Sequence, residues 1–199
     1  MSDAPERQIY LVRHGETEWS RSGQHTGRTD IPLTELGRQQ ALGIGARLRD
    51  RSFALILTSP MSRAAETARI AGFDPVPTDD LMEWHYGEFE GRTTPEIRER
   101  RPDWSIWRGP WPGGEEPDAV GARVDRVIAR CLDPRVEGDC LLFAHGHVLR
   151  VLAARWLGQA ARDGAHYALG TATLSILGWE HGNRVIETWN DACHLTRTG

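Results

Sequence analysis

Two histidines each follow a short apolar run that is typical of a buried strand. His14 comes after the run at residues 9–12, and His145 comes after the run at residues 140–144. Because the carboxyl ends of parallel strands meet at one edge of a sheet, we expect the two imidazoles to face each other. A pair of histidines placed in this way suggests a reaction centre at that edge.

Arginine is the only cationic residue type, apart from histidine, that can serve this centre. All 24 basic residues are arginines, which excludes a Schiff base, a P-loop lysine or any other lysine chemistry. Arg13 precedes the first histidine, and Arg63 lies near the start of a predicted helix; their forked, permanently charged groups fit a phosphate dianion. Gly15 and Gly146 would let a tetrahedral substrate approach the backbone closely. These residues predict a phosphate pocket built from side chains.

Phosphoryl transfer needs a nucleophile, charge neutralisation and a proton for the leaving oxygen. A neutral imidazole, with an ordinary pKa of about 6.5, has one unprotonated nitrogen at neutral pH, so we assign the nucleophile to His14. Glu83 lies among apolar residues, which favour a protonated carboxyl group, and it is the predicted acid. Glu16 is the competing assignment.

The elements around these residues alternate between strands and helices. We expect helices at 35–51, 59–71, 115–131 and 148–157, and further strands at 54–57, 173–179 and 184–189. Ser59 is expected to cap the helix that carries Arg63. Alternation predicts an α/β fold, a three-layer αβα sandwich around a mostly parallel sheet. Residues 84–117, rich in Trp, Arg, Gly and Pro, fit no simple period and predict a lid-like, substrate-facing insertion.

Composition narrows the class of protein. A chain of 199 residues is the size of a single domain, expected here over residues 1–199. A net charge of −4 argues against broad binding to nucleic acid or anionic membranes. Three cysteines without metal-ligand spacing give no zinc ribbon or disulfide framework. Without a leader pattern or an apolar run of about 20 residues, we expect a cytoplasmic protein.

The motifs, taken in order, resemble those of the histidine phosphatase superfamily, which includes the cofactor-dependent phosphoglycerate mutases and many phosphatases. The matching segments are Arg13-His14-Gly15-Glu16, Thr26-Gly27 with Leu33-Thr34 and Gly37, Ser59-Pro60 with Arg63-Ala64 and Thr67-Ala68, residues 83–91, and Ala144-His145-Gly146. The resemblance implies that His14 becomes phosphorylated, that Glu83 donates and accepts the proton, and that no metal or cofactor is needed. It also implies that Arg13, Arg63 and His145 bind the phosphoryl group. The rest of a small phosphorylated metabolite would lie near Thr17, Ser20, Thr26, Gly27, Tyr86, Gly146 and His147.

The chain departs from the mutase pattern within this resemblance. Ser20 stands where mutases have Asn, and Gly91-Arg92-Thr93 stands where they have Leu-Asn-Lys. The missing lysine favours hydrolysis over mutase chemistry. Residues 17–27 and 145–147, together with Trp104 and Trp107, resemble sedoheptulose bisphosphatases and actinobacterial acid phosphatases, so a sugar phosphate or bisphosphate is the expected substrate.

Several alternatives stay open. A metallohydrolase using His145, His147 and Glu83 is possible in principle, although two neighbouring arginines disfavour a cation. A noncatalytic phosphate-binding protein and a phosphoglycerate mutase are the other readings, and a homo-oligomer is not excluded. Among further residues, we expect Arg150 to decorate its helix and His25 to be a surface or packing residue. Three tryptophans are expected to line a pocket: Trp104, Trp107 and Trp111.

Overall fold

The computed structural model describes residues 6–195. In this part of the chain the strands are Ile9–Arg13 (β1), Leu55–Thr58 (β2), Val76–Pro77 (β3), Cys140–Ala144 (β4), Leu174–Glu180 (β5) and Asn183–Asp191 (β6). The α-helices are Glu18–Ser22 (α1), Glu35–Leu48 (α2), Ser62–Ile70 (α3), Thr94–Arg98 (α4), Pro117–Cys131 (α5) and Gly146–Trp156 (α6). Short 3-10 turns lie at Asp79–Leu81, Gly87–Phe89 and Ala161–His166.

The strands form one sheet in the order β3-β2-β4-β1-β5-β6. Strands β1 to β4 are parallel, and β5 runs antiparallel to both of its neighbours. The register pairs Val12 with Phe143 and Arg13 with Ala144, so β1 and β4 end side by side. The predicted mostly parallel sheet is therefore confirmed, and its two central strands bring both histidines to one edge.

Helices cover both faces of this sheet. Tyr10, Val12 and Phe143 on one face are buried with residues of α2 and α3, among them Ile44 and Ala68. The alternate strand residues pack on the other face against α5 and α6. Removing such apolar side chains from water stabilises the fold by roughly 1.5–3 kcal/mol for each large residue. The three-layer αβα arrangement is thus confirmed.

Most predicted elements are present with slightly different ends, and the start of α3 is a correction. Ser59 does not cap this helix, whose N-cap is Met61 without a side-chain cap bond. The Ser59 hydroxyl contacts His145 instead. Helices α1 and α4 were not predicted because five residues are too few to show a helical period. Each is fixed by a capping box, at Thr17 and at Thr93.

Residues 84–117 supply side chains to the main core. Trp84, Ile97 and Trp104 are almost completely buried and belong to the same apolar cluster as α5 and α6. The turn at Gly87–Phe89 and helix α4 lie within this segment. The segment is therefore anchored over much of its length by burial of large apolar groups. Within residues 6–195, no helix is both long and apolar enough to cross a membrane.

Candidate active site

His14 lies directly after β1, and its backbone N–H donates to the Ala144 carbonyl at 2.9 Å. Its Nδ1 lies 2.7 Å from the carbonyl oxygen of Gly15. Because a carbonyl can only accept, Nδ1 carries the proton and Nε2 is left with a free lone pair. Burial, with added repulsion from Arg63 and Arg13, holds the pKa of His14 well below 6.5. The geometry and charge therefore favour a neutral imidazole with Nε2 as the nucleophilic atom.

We expect His14 to stay neutral when the pH falls through 6.5. An unperturbed histidine is half protonated near that pH, whereas a lowered pKa moves protonation to more acidic conditions. The titration of the ring protons by NMR, with the His14 signal assigned by its loss in His14→Ala, measures this directly. A midpoint at or above 6.5 would contradict the charge environment described here.

His145 faces His14 across the ends of the strands, with ring centroids 5.2 Å apart. Its Nδ1 accepts from Arg63 Nε at 3.1 Å, so its Nε2 carries the proton and donates to Ser59 Oγ at 2.7 Å. Burial, followed by the charge of Arg63, keeps the pKa of His145 well below 6.5. His145 is therefore held as a neutral ring in a fixed orientation.

Arg13 is the arginine that offers free donors to the pocket. Its Nη1 donates to the Leu169 carbonyl at 2.6 Å. Its Nε is buried and has no hydrogen-bond partner among the described residues. Leaving such a donor unsatisfied costs about 1–3 kcal/mol, and more for a charged group, which a bound anion would offset. This arginine is the strongest single indication of an anion site.

Arg63 is completely buried and mostly engaged by the protein. Beyond His145, its guanidinium donates to the backbone carbonyls of Thr26, Gly27 and Thr29 at 3.0–3.1 Å. This arrangement differs from a second free fork, because four contacts leave few N–H groups for a ligand. Arg63 thus brings positive charge beneath the histidines and fixes both His145 and the loop at Thr26–Thr29.

Glu83 lies at the N-terminus of α6. Its Oε1 accepts from the backbone N–H groups of Trp84 and Val148, and its Oε2 accepts from that of His147, all at 2.9 Å. Polar amide donors therefore surround a carboxyl group that the sequence placed among apolar residues. Oε2 accepts one of these bonds and Oε1 accepts two, so Oε2 retains the lone pair better suited to exchanging a proton.

Glu16, the competing acid, is bound elsewhere. Its Oε1 accepts from the Thr34 hydroxyl at 2.9 Å, and its backbone N–H donates to Gln40. Glu83 lines the pocket that contains His14, whereas Glu16 does not. The geometry therefore favours Glu83 over Glu16 for the acid.

These groups line a small pocket of about 150 Å³. Five of the predicted substrate-binding residues lie on its wall: Ser20, Thr26, Tyr86, Gly146 and His147. Thr17 and Gly27 lie behind it, where the Thr17 side chain caps α1 and the Gly27 N–H donates to Glu90. Tyr86, whose pKa is raised well above 10 by burial and then by Glu83, donates its hydroxyl proton to His147 Nδ1 at 2.6 Å.

The pocket also has residues that the sequence did not single out. They are Trp19, Gly23, Gln24, His25, Arg150 and Leu169. The expectation that Arg150 only decorates its helix was wrong. His25 packs against Tyr86 and Trp104, as a packing residue would, and also lines the pocket. Segment 17–27 folding back as α1 and its following turn brings these residues in, and no local period signals such a return.

The three tryptophans expected to line a pocket are divided. Trp104 is buried in the core and its indole N–H donates to the Pro110 carbonyl. Trp107 and Trp111 line a second cavity of about 460 Å³, away from His14. Trp107 lies between the two spaces, because its ring also contacts His147 at a centroid distance of 5.3 Å.

Comparison with known proteins agrees with this geometry. Residues 9–192 match the profile of the histidine phosphatase superfamily (branch 1). This chain belongs to the histidine phosphatase superfamily. An acid phosphatase of Mycobacterium tuberculosis is 40% identical over 179 residues, which cover 88% of each chain. The sedoheptulose 1,7-bisphosphatase of Saccharomyces cerevisiae is 41% identical over 180 residues, 74% of this chain and 66% of the yeast protein.

Solved structures of the superfamily share the fold. The structure of a Mycobacterium tuberculosis protein aligns with a TM-score of 0.89 at 38% identity, covering 92% of this chain and 97% of the other. The resemblance drawn from the motifs is therefore confirmed. The close relatives are phosphatases, and the chain is accordingly a phosphatase of the histidine phosphatase superfamily.

The glycines after the two histidines have a different role in this superfamily member from the one expected. A Cβ on Gly15 would lie 2.3 Å from the Gly37 carbonyl oxygen, so the glycine is needed where the loop contacts α2. A Cβ on Gly146 would approach the Arg13 guanidinium at 3.3 Å. Both glycines therefore make room for protein groups that shape the pocket, and the expectation of room for substrate was wrong for Gly15.

The donors of the pocket are poorly suited to a metal ion. Both ring nitrogens of His145 are hydrogen-bonded, one of them to the permanently charged Arg63. The oxygens of Glu83 take three backbone N–H bonds. Residues 6–195 contain no group of three or more His, Cys, Asp or Glu side chains arranged to hold a metal. The side chains fit an anion, as expected for this superfamily.

Proposed function

We propose that this phosphatase hydrolyses a small phosphorylated metabolite, a sugar phosphate or bisphosphate, through a phosphohistidine on His14. The observation that carries the proposal is the Nδ1–Gly15 hydrogen bond, which leaves Nε2 unprotonated in a pocket with a free Arg13 donor. Nucleophile, positive charge and the carboxyl group of Glu83 line the same small space. The arrangement supplies each role that phosphoryl transfer needs.

In the first half of the reaction, Nε2 of His14 forms a bond to phosphorus as the bond from phosphorus to the leaving oxygen breaks. Arg13 and the buried charge of Arg63 stabilise the negative charge on the other oxygens. Glu83, protonated at Oε2, gives its proton to the leaving oxygen, so that an alcohol departs. The Gly15 carbonyl stabilises the positive imidazole ring that results.

In the second half, water attacks the phosphohistidine. The carboxylate of Glu83 takes a proton from that water, the bond between phosphorus and Nε2 breaks, and inorganic phosphate leaves. Glu83 is then protonated and His14 is neutral, which restores the starting state. The three backbone N–H groups around Glu83 hold its oxygens in place for both proton transfers.

The pocket volume and the relatives support a compact substrate. A space of about 150 Å³ is smaller than the roughly 300–1,000 Å³ of sites for drug-sized ligands. Relatives named acid phosphatase and sedoheptulose 1,7-bisphosphatase belong to the same superfamily. We therefore extend to this chain the hydrolysis of sugar mono- and bisphosphates.

The experiment is a substrate panel in the presence of a chelator. Sugar mono- and bisphosphates, phosphoglycerates and p-nitrophenyl phosphate are incubated with the protein, and free phosphate and isomerised products are measured by mass spectrometry. Release of phosphate with excess chelator supports the proposal. Isomerisation without release would indicate a mutase, loss of activity restored by a divalent cation would indicate a metallohydrolase, and binding without turnover would indicate a phosphate-binding protein.

Glu83→Gln is expected to slow esters with poor leaving groups much more than p-nitrophenyl phosphate, because the nitrophenolate oxygen leaves without needing a proton. The expected loss is about 10²–10⁴-fold for a sugar phosphate, the usual contribution of general acid catalysis. Steady-state kcat/KM for both substrates gives the ratio. Glu16→Gln is the matched control and should leave the ratio unchanged; equal losses on the two substrates in Glu83→Gln would assign the proton to another group.

A further inference from the structure

Arg150 occupies a distinct place in the pocket. It lies on α6 four residues beyond Gly146, which is about 6 Å along the helix axis from the end that holds Glu83. Its side chain lines the same pocket as His14 and Arg13. The position is therefore one helical turn away from the reacting centre, a distance that a small metabolite can span.

The guanidinium of Arg150 is held in place by its surroundings. It lies over the Trp107 ring, 4.6 Å from the ring centroid. Its Nε and Nη2 donate to the carbonyls of Gly164 and Ala165 at 3.1 and 3.2 Å. These bonds use two of the five N–H donors of an arginine, so three remain for another acceptor. Little side-chain freedom is left to lose when an anion binds.

The remaining charges on the pocket wall leave Arg150 as the cation for a second group. The charged residues of the wall are Arg13, Glu83 and Arg150. Arg13 is required at the reacting phosphoryl group, and Glu83 is acidic. The two histidines besides His14 are neutral, since burial lowers the pKa of His25 to about 4 and that of His147 well below 6.5. A second negative charge on the substrate would therefore meet Arg150.

We propose that Arg150, positioned by Trp107, binds a second anionic group of the substrate, a phosphate or a carboxylate, and so selects doubly anionic phosphate esters. This inference rests on the proposed function and adds the substrate class to it. The reacting phosphoryl group binds at Arg13 and His14, and the second group binds one helical turn away. Planar, forked donors that lie on an aromatic ring are well suited to either oxyanion.

The test uses pairs of substrates that differ only in the second anion. 3-Phosphoglycerate is compared with glycerol 3-phosphate for a carboxylate, and fructose 1,6-bisphosphate with fructose 1-phosphate for a phosphate. The wild-type protein is expected to prefer the doubly anionic member by kcat/KM in at least one pair. Arg150→Met, which keeps an apolar stem, should lower that preference about 10- to 100-fold, as for the loss of charge-assisted hydrogen bonds. The pair that responds identifies the group.

Control variants separate selection from stability. Arg155→Met lies on the same helix, but Arg155 pairs with Asp125 outside the pocket, so the preference should be unchanged. Trp107→Leu removes the ring beneath Arg150 and should lower the preference in the same pair, mainly through KM. Equal losses on both members of every pair in Arg150→Met, or a wild-type protein without preference, would overturn the proposal.

Binding measurements keep the inference separate from catalysis. In His14→Ala, calorimetric titration should show tighter binding of the doubly anionic member, and adding Arg150→Met should remove the difference. If the wild-type protein turned over no phosphate ester while this difference persisted, the proposed hydrolysis would fail and the role of Arg150 would stand. Equal binding of both members of each pair would overturn the role of Arg150 whatever the activity.

Discussion

His14→Ala is expected to abolish phosphate release, by about 10⁴-fold or more, because it removes the atom that forms the covalent intermediate. No other histidine nitrogen is in position to replace it. His145 has both nitrogens hydrogen-bonded, and His147 Nδ1 is bonded to Tyr86. The measurement is steady-state turnover of p-nitrophenyl phosphate and of the best sugar phosphate from the panel.

His181→Asn is the matched control for this substitution. His181 is exposed in the turn between β5 and β6, and asparagine tolerates its positive φ. Its activity should equal that of the wild-type protein. Circular dichroism melting curves establish that His14→Ala is folded. A folded His14→Ala protein with substantial activity would contradict the assignment of the nucleophile.

Arg63→Ala is expected to lower kcat/KM by about 100-fold or more, the scale for loss of a principal charge-stabilising group. The effect has two physical sources. The buried positive charge beneath the phosphoryl group is lost, and His145 Nδ1 and the carbonyls of Thr26 and Thr29 lose their donor. Steady-state kinetics, together with the melting temperature of each variant, measures both consequences.

Arg63→Lys separates charge from geometry. A lysine keeps the positive charge but has no planar fork to reach the carbonyls and His145 together, so its activity should remain at least about 10-fold below wild type. Arg47→Ala is the control, since Arg47 is half exposed and contacts Asp191 on the surface. Wild-type activity in both Arg63 variants would mean that this network does not support catalysis.

The strand ends are the part of the site that the sequence predicted best. Apolar runs before His14 and His145 indicate two buried strands, and parallel pairing forces their ends to the same edge. The structure confirms this, with β1 and β4 in direct register. Because the sheet dictates this meeting, two motifs about 130 residues apart are enough to predict it from strand pairing.

Other features depend on tertiary contacts that have no local signal. The engagement of Arg63 with Thr26, Gly27 and Thr29 depends on the path of a loop, and this path is held by Glu90. The expectation for Arg150 failed because its direction is set by Trp107, 43 residues earlier in the chain. Residue type and helical period therefore located the arginines, and only the packed structure shows which donors remain free.

Trapping the intermediate tests the central claim most directly. The protein is mixed with substrate in chelator, quenched in base, where a phosphohistidine survives, and digested for mass spectrometry. We predict the added mass of one phosphoryl group on the peptide that contains His14, absent from His14→Ala and appearing as fast as turnover. Rapid turnover with no phosphoryl group on His14, or with the group on another residue, would contradict the account.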